Sequence, residues 1–301
     1  MARAAKDDSF RGLSALNSFD GEDVRRRVIP TSLGDVTAIE FGPGVRALDI
    51  LFLHANGFNA MTYRHMLAPL GTDLRVLAVE LRGHGRNGLP AREAGHSWQV
   101  YADDLVALLE ALGETPAVLA GHSMGATTIL LALPQIQAVG LRRLVLFDPV
   151  LAPRAAYGGA ADWDTPIAKG ALRRKDDFAD ANEAFAAYRG RGAFQTWPDA
   201  VLRDYLADGL IAEEGGRWRL ACSPRWEAAN FAAYCVADPY PAVDNPGVPV
   251  SIFRAGVNST CSFEPADGDG LVRMEVVAGT THFLPMERPD VVERGLREAV
   301  G

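Results

Sequence analysis

Gly121-His122-Ser123-Met124-Gly125 sets a serine between two glycines, and serine is a residue that can carry nucleophilic chemistry. An apolar run, Val118 to Ala120, precedes it, and a helix-forming stretch from Ala126 through Gln137 follows. That context predicts a strand, a sharp turn and a helix, with Ser123 at the apex. A serine hydroxyl is a weak nucleophile at its free pKa, so chemistry here needs a base that takes the proton on demand. The turn forces the serine into a sparsely populated backbone conformation, and flanking side chains would collide across it. Glycine at 121 and 125 removes that collision. The helix starting after Ser123 also directs free N–H groups and its positive dipole end toward the place where an oxyanion would form. As a plain helix cap, Ser123 would not need both glycines.

A base and an acid must come from elsewhere in the chain. Six histidines are available: His54, His65, His84, His96, His122 and His282. None of them pairs at zinc-ligand spacing, so no metal site is expected. Cys222, Cys235 and Cys261 form neither a metal-binding pattern nor an even disulfide framework, which predicts free thiols in a reducing compartment.

Four segments in chain order resemble the α/β-hydrolase superfamily, over about residues 35 to 150 and 246 to 300. Beside the elbow at Ser123, Leu51-Phe52-Leu53-His54-Ala55-Asn56-Gly57-Phe58 is similar to the family's strand and oxyanion loop. Val79-Glu80-Leu81-Arg82-Gly83-His84-Gly85 resembles its Asp-x-Arg-Gly-His-Gly turn, with Glu80 in place of Asp. Gly279-Thr280-Thr281-His282-Phe283 resembles its catalytic-histidine loop. The resemblance implies Ser123 as nucleophile and His282 as general base, with His54, His84 and His122 as hydrogen-bonded loop residues and His65 and His96 as helix and surface residues. It implies the Met124 N–H as one oxyanion donor. The second comes from the loop after His54, with Asn56 favoured by position and Phe58 as the rival, because this loop reads His-Ala-Asn-Gly where the family more often has His-Gly.

The acid departs from the family's usual place, a Gly-x-x-Asp turn after the penultimate strand. Here that turn reads Gly256-Val257-Asn258-Ser259, without a carboxylate. Some members take the acid from an earlier strand end, which in this chain is Asp148 in Leu146-Phe147-Asp148-Pro149. Asp-Pro is also an ordinary turn signal, so Glu264 and Asp267 stay open as alternatives.

Strand and helix patterns alternate through most of the chain, predicting an α/β fold with a mainly parallel, doubly wound sheet. Apolar runs place strands at Val24–Ile29, Val36–Phe41, Asp49–His54, Leu74–Val79, Ala117–Ala120, Arg143–Phe147, Val248–Phe253 and Val272–Val277. Helices are expected over Met61–Leu70, from an N-cap at Ser97 to Leu112, and over Pro289–Val300. Residues 1 to 22 show no periodicity and read as an irregular lead-in.

From about Ala152 to Asn245 the alternation gives way to helical patterns over Asp177–Tyr188, Pro198–Leu206 and Pro224–Val236. Four of the five tryptophans lie there: Trp163, Trp197, Trp218 and Trp226. By resemblance this insertion is a helical lid, residues 151–245, on a core of residues 1–150 and 246–301. It would shield the site and supply an apolar pocket. Arg173, Arg174, Lys175, Arg189 and Arg191 read equally well as a solvated face.

The expected activity is that of a serine hydrolase working through an acyl-enzyme on an ester, thioester, lactone or similar small acyl compound with an apolar part. Epoxide- and haloalkane-hydrolysing relatives need a carboxylate where Ser123 stands. A carbon–carbon-bond hydrolase and a ligand-binding member without turnover remain the alternatives. No phosphate loop or dinucleotide fingerprint is present, so no cofactor is expected. The net charge of −8 argues against a nucleic-acid surface, and Arg25-Arg26-Arg27 reads as a solvated strand edge. Met1 to Phe10 lacks the apolar run of a secretory signal, and no window reaches the ~20 apolar residues of a membrane span. A soluble, cytoplasmic location is the resulting expectation.

Overall fold

The computed structural model describes residues 24–136, 140–265 and 270–301. The expected lead-in, the end of the helix at Gln137 and the candidate acid Asp267 lie outside the described residues. Eight strands form one sheet: β1 (Arg25–Thr31), β2 (Gly34–Phe41), β3 (Ile50–Leu53), β4 (Val76–Val79), β5 (Val118–His122), β6 (Arg143–Phe147), β10 (Val250–Ala255) and β11 (Val272–Val277). Their order across the sheet is β1-β2-β4-β3-β5-β6-β10-β11. β1 and β2 are antiparallel to their neighbours, and every pairing from β4 to β11 is parallel. The expected parallel α/β sheet is therefore present, with an antiparallel hairpin at one edge.

Period-two alternation sends neighbouring side chains of each strand into two separate cores. Ile50, Phe52, Val118, Ala120, Val145 and Phe147 pack on one side, with α10 (Pro289–Val300). Leu51, Leu53, Leu119, Leu144 and Leu146 face the other side, against α2 (Gln99–Leu112) and α3 (Met124–Ala132). Helices thus cover both faces, as a buried parallel sheet requires.

The expected helix over Met61–Leu70 is broken. It runs as a 3₁₀ turn (Ala60–Tyr63), a single α turn, α1 (Arg64–Leu67), and a second 3₁₀ turn (Ala68–Thr72). Pro69 ends the α turn because it lacks an N–H and its ring crowds the preceding turn. The N-cap of α2 is Trp98 rather than Ser97, although the Ser97 hydroxyl accepts the Gln99 N–H at 3.3 Å. Gly113 closes that helix in the left-handed conformation, as glycine does most easily.

Between β6 and β10 the chain forms α4 (Pro166–Leu172), α5 (Ala181–Tyr188), α6 (Asp199–Gly209), α7 (Pro224–Ala232) and α8 (Tyr240–Asp244). It also forms a small antiparallel sheet of β7 (Asp177–Phe178), β9 (Trp218–Leu220) and β8 (Leu210–Ala212). The expected helix at Asp177 therefore starts as a strand. Asp180 caps the helix instead, its side chain accepting the Glu183 N–H at 2.8 Å. Arg26 on edge strand β1 pairs with the buried Asp208 of α6. The Arg25–Arg27 cluster is thus partly a tether rather than only a solvated edge. α9 (Leu284–Glu287) precedes α10. Among the described residues no helix is long and apolar enough to cross a membrane.

Candidate active site

β5 ends at His122, α3 starts at Met124, and Ser123 between them takes φ 55° and ψ −120°. A non-glycine residue at positive φ is strained, and such strain persists only where surrounding packing fixes it. The packing is visible at both glycines. A Cβ on Gly121 would lie 2.8 Å from the Ala126 nitrogen, and one on Gly125 would lie 2.4 Å from the Leu53 carbonyl oxygen. The second clash is with the end of β3, so Gly125 lets the elbow helix settle against the neighbouring strand as well as relieving the turn.

Three side chains from three loops meet here. Ser123 Oγ lies 2.9 Å from His282 Nε2, and His282 Nδ1 lies 2.6 Å from Asp148 Oδ2. Asp148 follows β6 directly, has φ 40° and is fully buried. Burial alone would raise its pKa. The hydrogen bond and charge of His282, the Ser259 hydroxyl and the Ala255 N–H outweigh burial and hold the carboxyl at about 2. Oδ1 accepts the Ala255 N–H at 2.8 Å and the Ser259 hydroxyl at 2.6 Å, while Oδ2 accepts the Thr260 N–H at 3.1 Å. Ser259 occupies the turn position where the family pattern has Asp, and it serves the Asp148 carboxylate. Glu264 is exposed and pairs with Arg254.

His282 is fixed from behind. His122 Nε2 donates to the His282 carbonyl at 2.8 Å, and the Tyr63 hydroxyl donates to His122 Nδ1 at 2.7 Å. Burial pushes His122 down to about 3, with the nearby His282 adding to the shift, so it stays a neutral, oriented ring. Two hydrogen bonds from Thr281 to Glu287, both 2.7 Å, clamp the loop that carries His282. Tyr63, Ser259 and Thr260 were not singled out from sequence. Only the unfilled Gly-x-x-Asp turn at 256–259 pointed toward one of them, Ser259.

Across from the histidine, the loop 55–58 commits most of its N–H groups. Ala55 N–H donates to the Tyr63 hydroxyl at 3.1 Å, Gly57 N–H to His84 Nε2 at 3.0 Å, and Phe58 N–H to the Ala55 carbonyl at 3.2 Å. The Asn56 and Met124 N–H groups have no acceptor among the described residues. His54 and His84 are buried loop histidines. Burial lowers both, His84 to about 4, and each accepts a backbone N–H on Nε2, from Leu81 and Gly57 respectively. His65 is exposed and pairs with Asp204, and His96 is a partly exposed loop residue whose Nε2 lies 2.7 Å from Asn230 Oδ1.

Ser123, Met124, Asn56 and His282 line a cavity of ≈ 820 Å³. The segment between β6 and β10 supplies much of its wall, including Ile167, Ala171, Arg174, Tyr188, Phe194 and Phe231. The four tryptophans of that segment are not among the lining residues, while Trp98 is. Trp197 is held one layer back by Phe58, at 4.9 Å between ring centroids, and Trp226 donates to the Arg82 carbonyl at 3.0 Å. Arg174 is not a solvated residue: it pairs with Glu227 at 2.8 Å and donates to the Tyr205 hydroxyl at 2.5 Å.

Comparison with known proteins gives these contacts a context. A model of the alpha/beta hydrolase family matches residues 50–294. The chain is 25% identical to 2-(acetamidomethylene)succinate hydrolase from Mesorhizobium japonicum, over 82% of this chain and 86% of that protein. It is 28% identical to esterase YbfF from Escherichia coli, over 76% of this chain and 83% of that protein. A crystal structure of E-2-(acetamidomethylene)succinate hydrolase superposes with a TM-score of 0.72 at 22% identity, covering 92% of this chain and 99% of that one. With the family model spanning most of the chain, this protein belongs to the alpha/beta hydrolase family.

Proposed function

We propose that the chain is a serine hydrolase that cleaves an ester or similar acyl compound through an acyl-enzyme. The observation that carries this reading is the unbroken line from Ser123 Oγ to His282 Nε2, and from His282 Nδ1 to Asp148, at the wall of the cavity. With Nδ1–H donated to Asp148, the Nε2 lone pair faces the serine hydroxyl. As Oγ attacks the substrate carbonyl carbon, Nε2 takes its proton, and Asp148 balances the imidazolium that results. The carbonyl oxygen gains negative charge and is met by the Met124 and Asn56 N–H groups. His282 then returns the proton to the leaving oxygen, and the C–O bond breaks to leave acyl-Ser123. Water, deprotonated by His282, attacks the acyl carbon, the bond to Ser123 Oγ breaks as His282 returns the proton to that oxygen, and the acid is released.

In the same reading, residues 151–245 act as a lid on a core of residues 1–150 and 246–301. The cavity wall they contribute supports this, and its apolar lining suits an apolar acyl or alcohol part. The unusual position of the acid is the feature that favours a binding protein without turnover. The placement of Asp148 against His282 supports turnover instead. Ser123→Ala tests the assignment with a short-chain p-nitrophenyl ester. Activity should fall by ~10³-fold or more with the fold unchanged. Retention of activity within a few-fold of the parent would overturn the reading.

A further inference from the structure

The Asn56 side chain is tied at both ends to a helix 171 to 174 residues away in sequence. Its Nδ2 donates to the Glu227 carbonyl at 3.0 Å, and its Oδ1 accepts from Asn230 Nδ2 at 2.8 Å. Glu227 and Asn230 are three residues apart on α7 and so share one helix face. The approach is close: a Cβ on Gly57 would lie 2.6 Å from Glu227 Oε1. We propose that Asn230 is a positioning residue that aims the Asn56 N–H into the oxyanion site. The role rests on the acyl-transfer reading above.

The polarity of the tie is fixed by what lies behind it. Asn230 is fully buried, and its Oδ1 accepts the Tyr101 hydroxyl at 2.8 Å and His96 Nε2 at 2.7 Å. With both lone pairs of that oxygen occupied, the amide nitrogen must face Asn56. Asn56 Oδ1 is then an acceptor, which leaves its own Nδ2 to donate to the helix carbonyl. The Trp98 indole N–H secures α7 further by donating to the Asn230 carbonyl at 3.0 Å. On the loop side, Ala55 and Gly57 have their N–H groups committed to Tyr63 and His84. The peptide that carries the Asn56 N–H is therefore held by partners on each side, and its direction depends on where α7 sits. An oxyanion donor displaced by about 1 Å loses much of its effect.

The test measures kcat and KM separately for the short-chain ester in Asn230→Leu, Asn56→Ala and the double variant. Asn56→Ala keeps the backbone N–H and cuts the tie, together with the 3.3 Å contact between Asn56 Oδ1 and His84 Nε2, whereas the variants at 230 leave that contact in place. Each single change should lower kcat by about 10- to 100-fold with KM within about threefold. The double variant should be no slower than the worse single one, because both changes remove the same link. Asn230→Asp keeps the shape and both accepted hydrogen bonds but loses the Nδ2 donor. It should show the same fall in kcat, and it serves if Asn230→Leu does not fold. Variants at 230 with kcat within twofold of the parent, a change confined to KM, or additive losses would each overturn the role. A parent without Ser123-dependent turnover removes the hydrolase reading and this role together, whereas Ser123-dependent turnover unaffected at 230 refutes this role alone.

Discussion

Asp148 shows how one side chain can be set by groups far away in sequence. Its carboxylate sits just after β6, but its low pKa, held down against burial, depends first on His282 and then on Ser259 and the Ala255 N–H, 134, 111 and 107 residues further on. Asp148→Asn preserves shape and burial but presents an amide N–H to His282 Nδ1, which favours the wrong tautomer. Turnover of the ester should fall by orders of magnitude, about 10⁴-fold, while thermal unfolding changes little. Glu264→Gln should be nearly silent in the same assay, since that carboxylate is exposed beside Arg254. An Asp148→Asn enzyme within tenfold of the parent would refute the acid assignment. The candidacy of Asp148 was legible from its place at a strand end and from the empty Gly-x-x-Asp turn. The hydroxyls that support it were not, because nothing local marks Ser259 as facing a carboxylate.

The elements of the large sheet were readable because buried parallel strands are short, continuous apolar runs bounded by turn residues. β7, β8 and β9 have two or three residues each, too few to show a period, and they pair only through tertiary contact. Which aromatic side chains reach the cavity was not readable for a related reason. Aromatic content located the insertion, but only packing decides that Trp98, at the start of α2, faces the cavity while Trp226 fits against Gly83. A phosphonate carrying an acyl-like chain should therefore alter the tryptophan emission of the parent. That change should largely vanish in Trp98→Phe and persist in Trp163→Phe. Persistence in Trp98→Phe would place the chain elsewhere.

Over the whole molecule, buried ionisable groups set opposing responses to pH. His54, His84 and His122 are neutral in the fold, with pKa values lowered first by burial. Below about pH 6.5 the unfolded chain binds protons that the folded chain refuses. Their contribution is thus complete above pH 6.5 and is lost as pH falls toward 4 and 3, by up to about 1.4 kcal/mol per pH unit for each group. Glu80 behaves in the reverse sense. Burial, with Asp208 adding, raises it to about 8, and its Oε1 has no hydrogen-bond partner among the described residues. The folded chain holds that proton more tightly, so this contribution is complete below the ordinary carboxylate range and is lost as pH rises toward 8. Between pH 6.5 and 8 Glu80 titrates in the fold while these three histidines do not. Denaturant titrations should show parental stability falling across that window and a flatter profile for Glu80→Gln. Equal slopes would contradict a protonated Glu80.

The Ser259 hydroxyl touching Asp148 means that the charge has two loop ends from which it could be presented. Two loops from adjacent strands converge on one point beside the imidazole, one bearing the charge and the other a hydroxyl 2.6 Å away. A carboxylate could pass between them through an intermediate that carries both, without the histidine moving. The acid's place in the chain and its location in space are then separable, because neighbouring strands bring both loop ends to one point. The double change Asp148→Asn with Ser259→Asp should recover part of the turnover lost in Asp148→Asn alone, and no recovery would show that the two loop ends are not interchangeable.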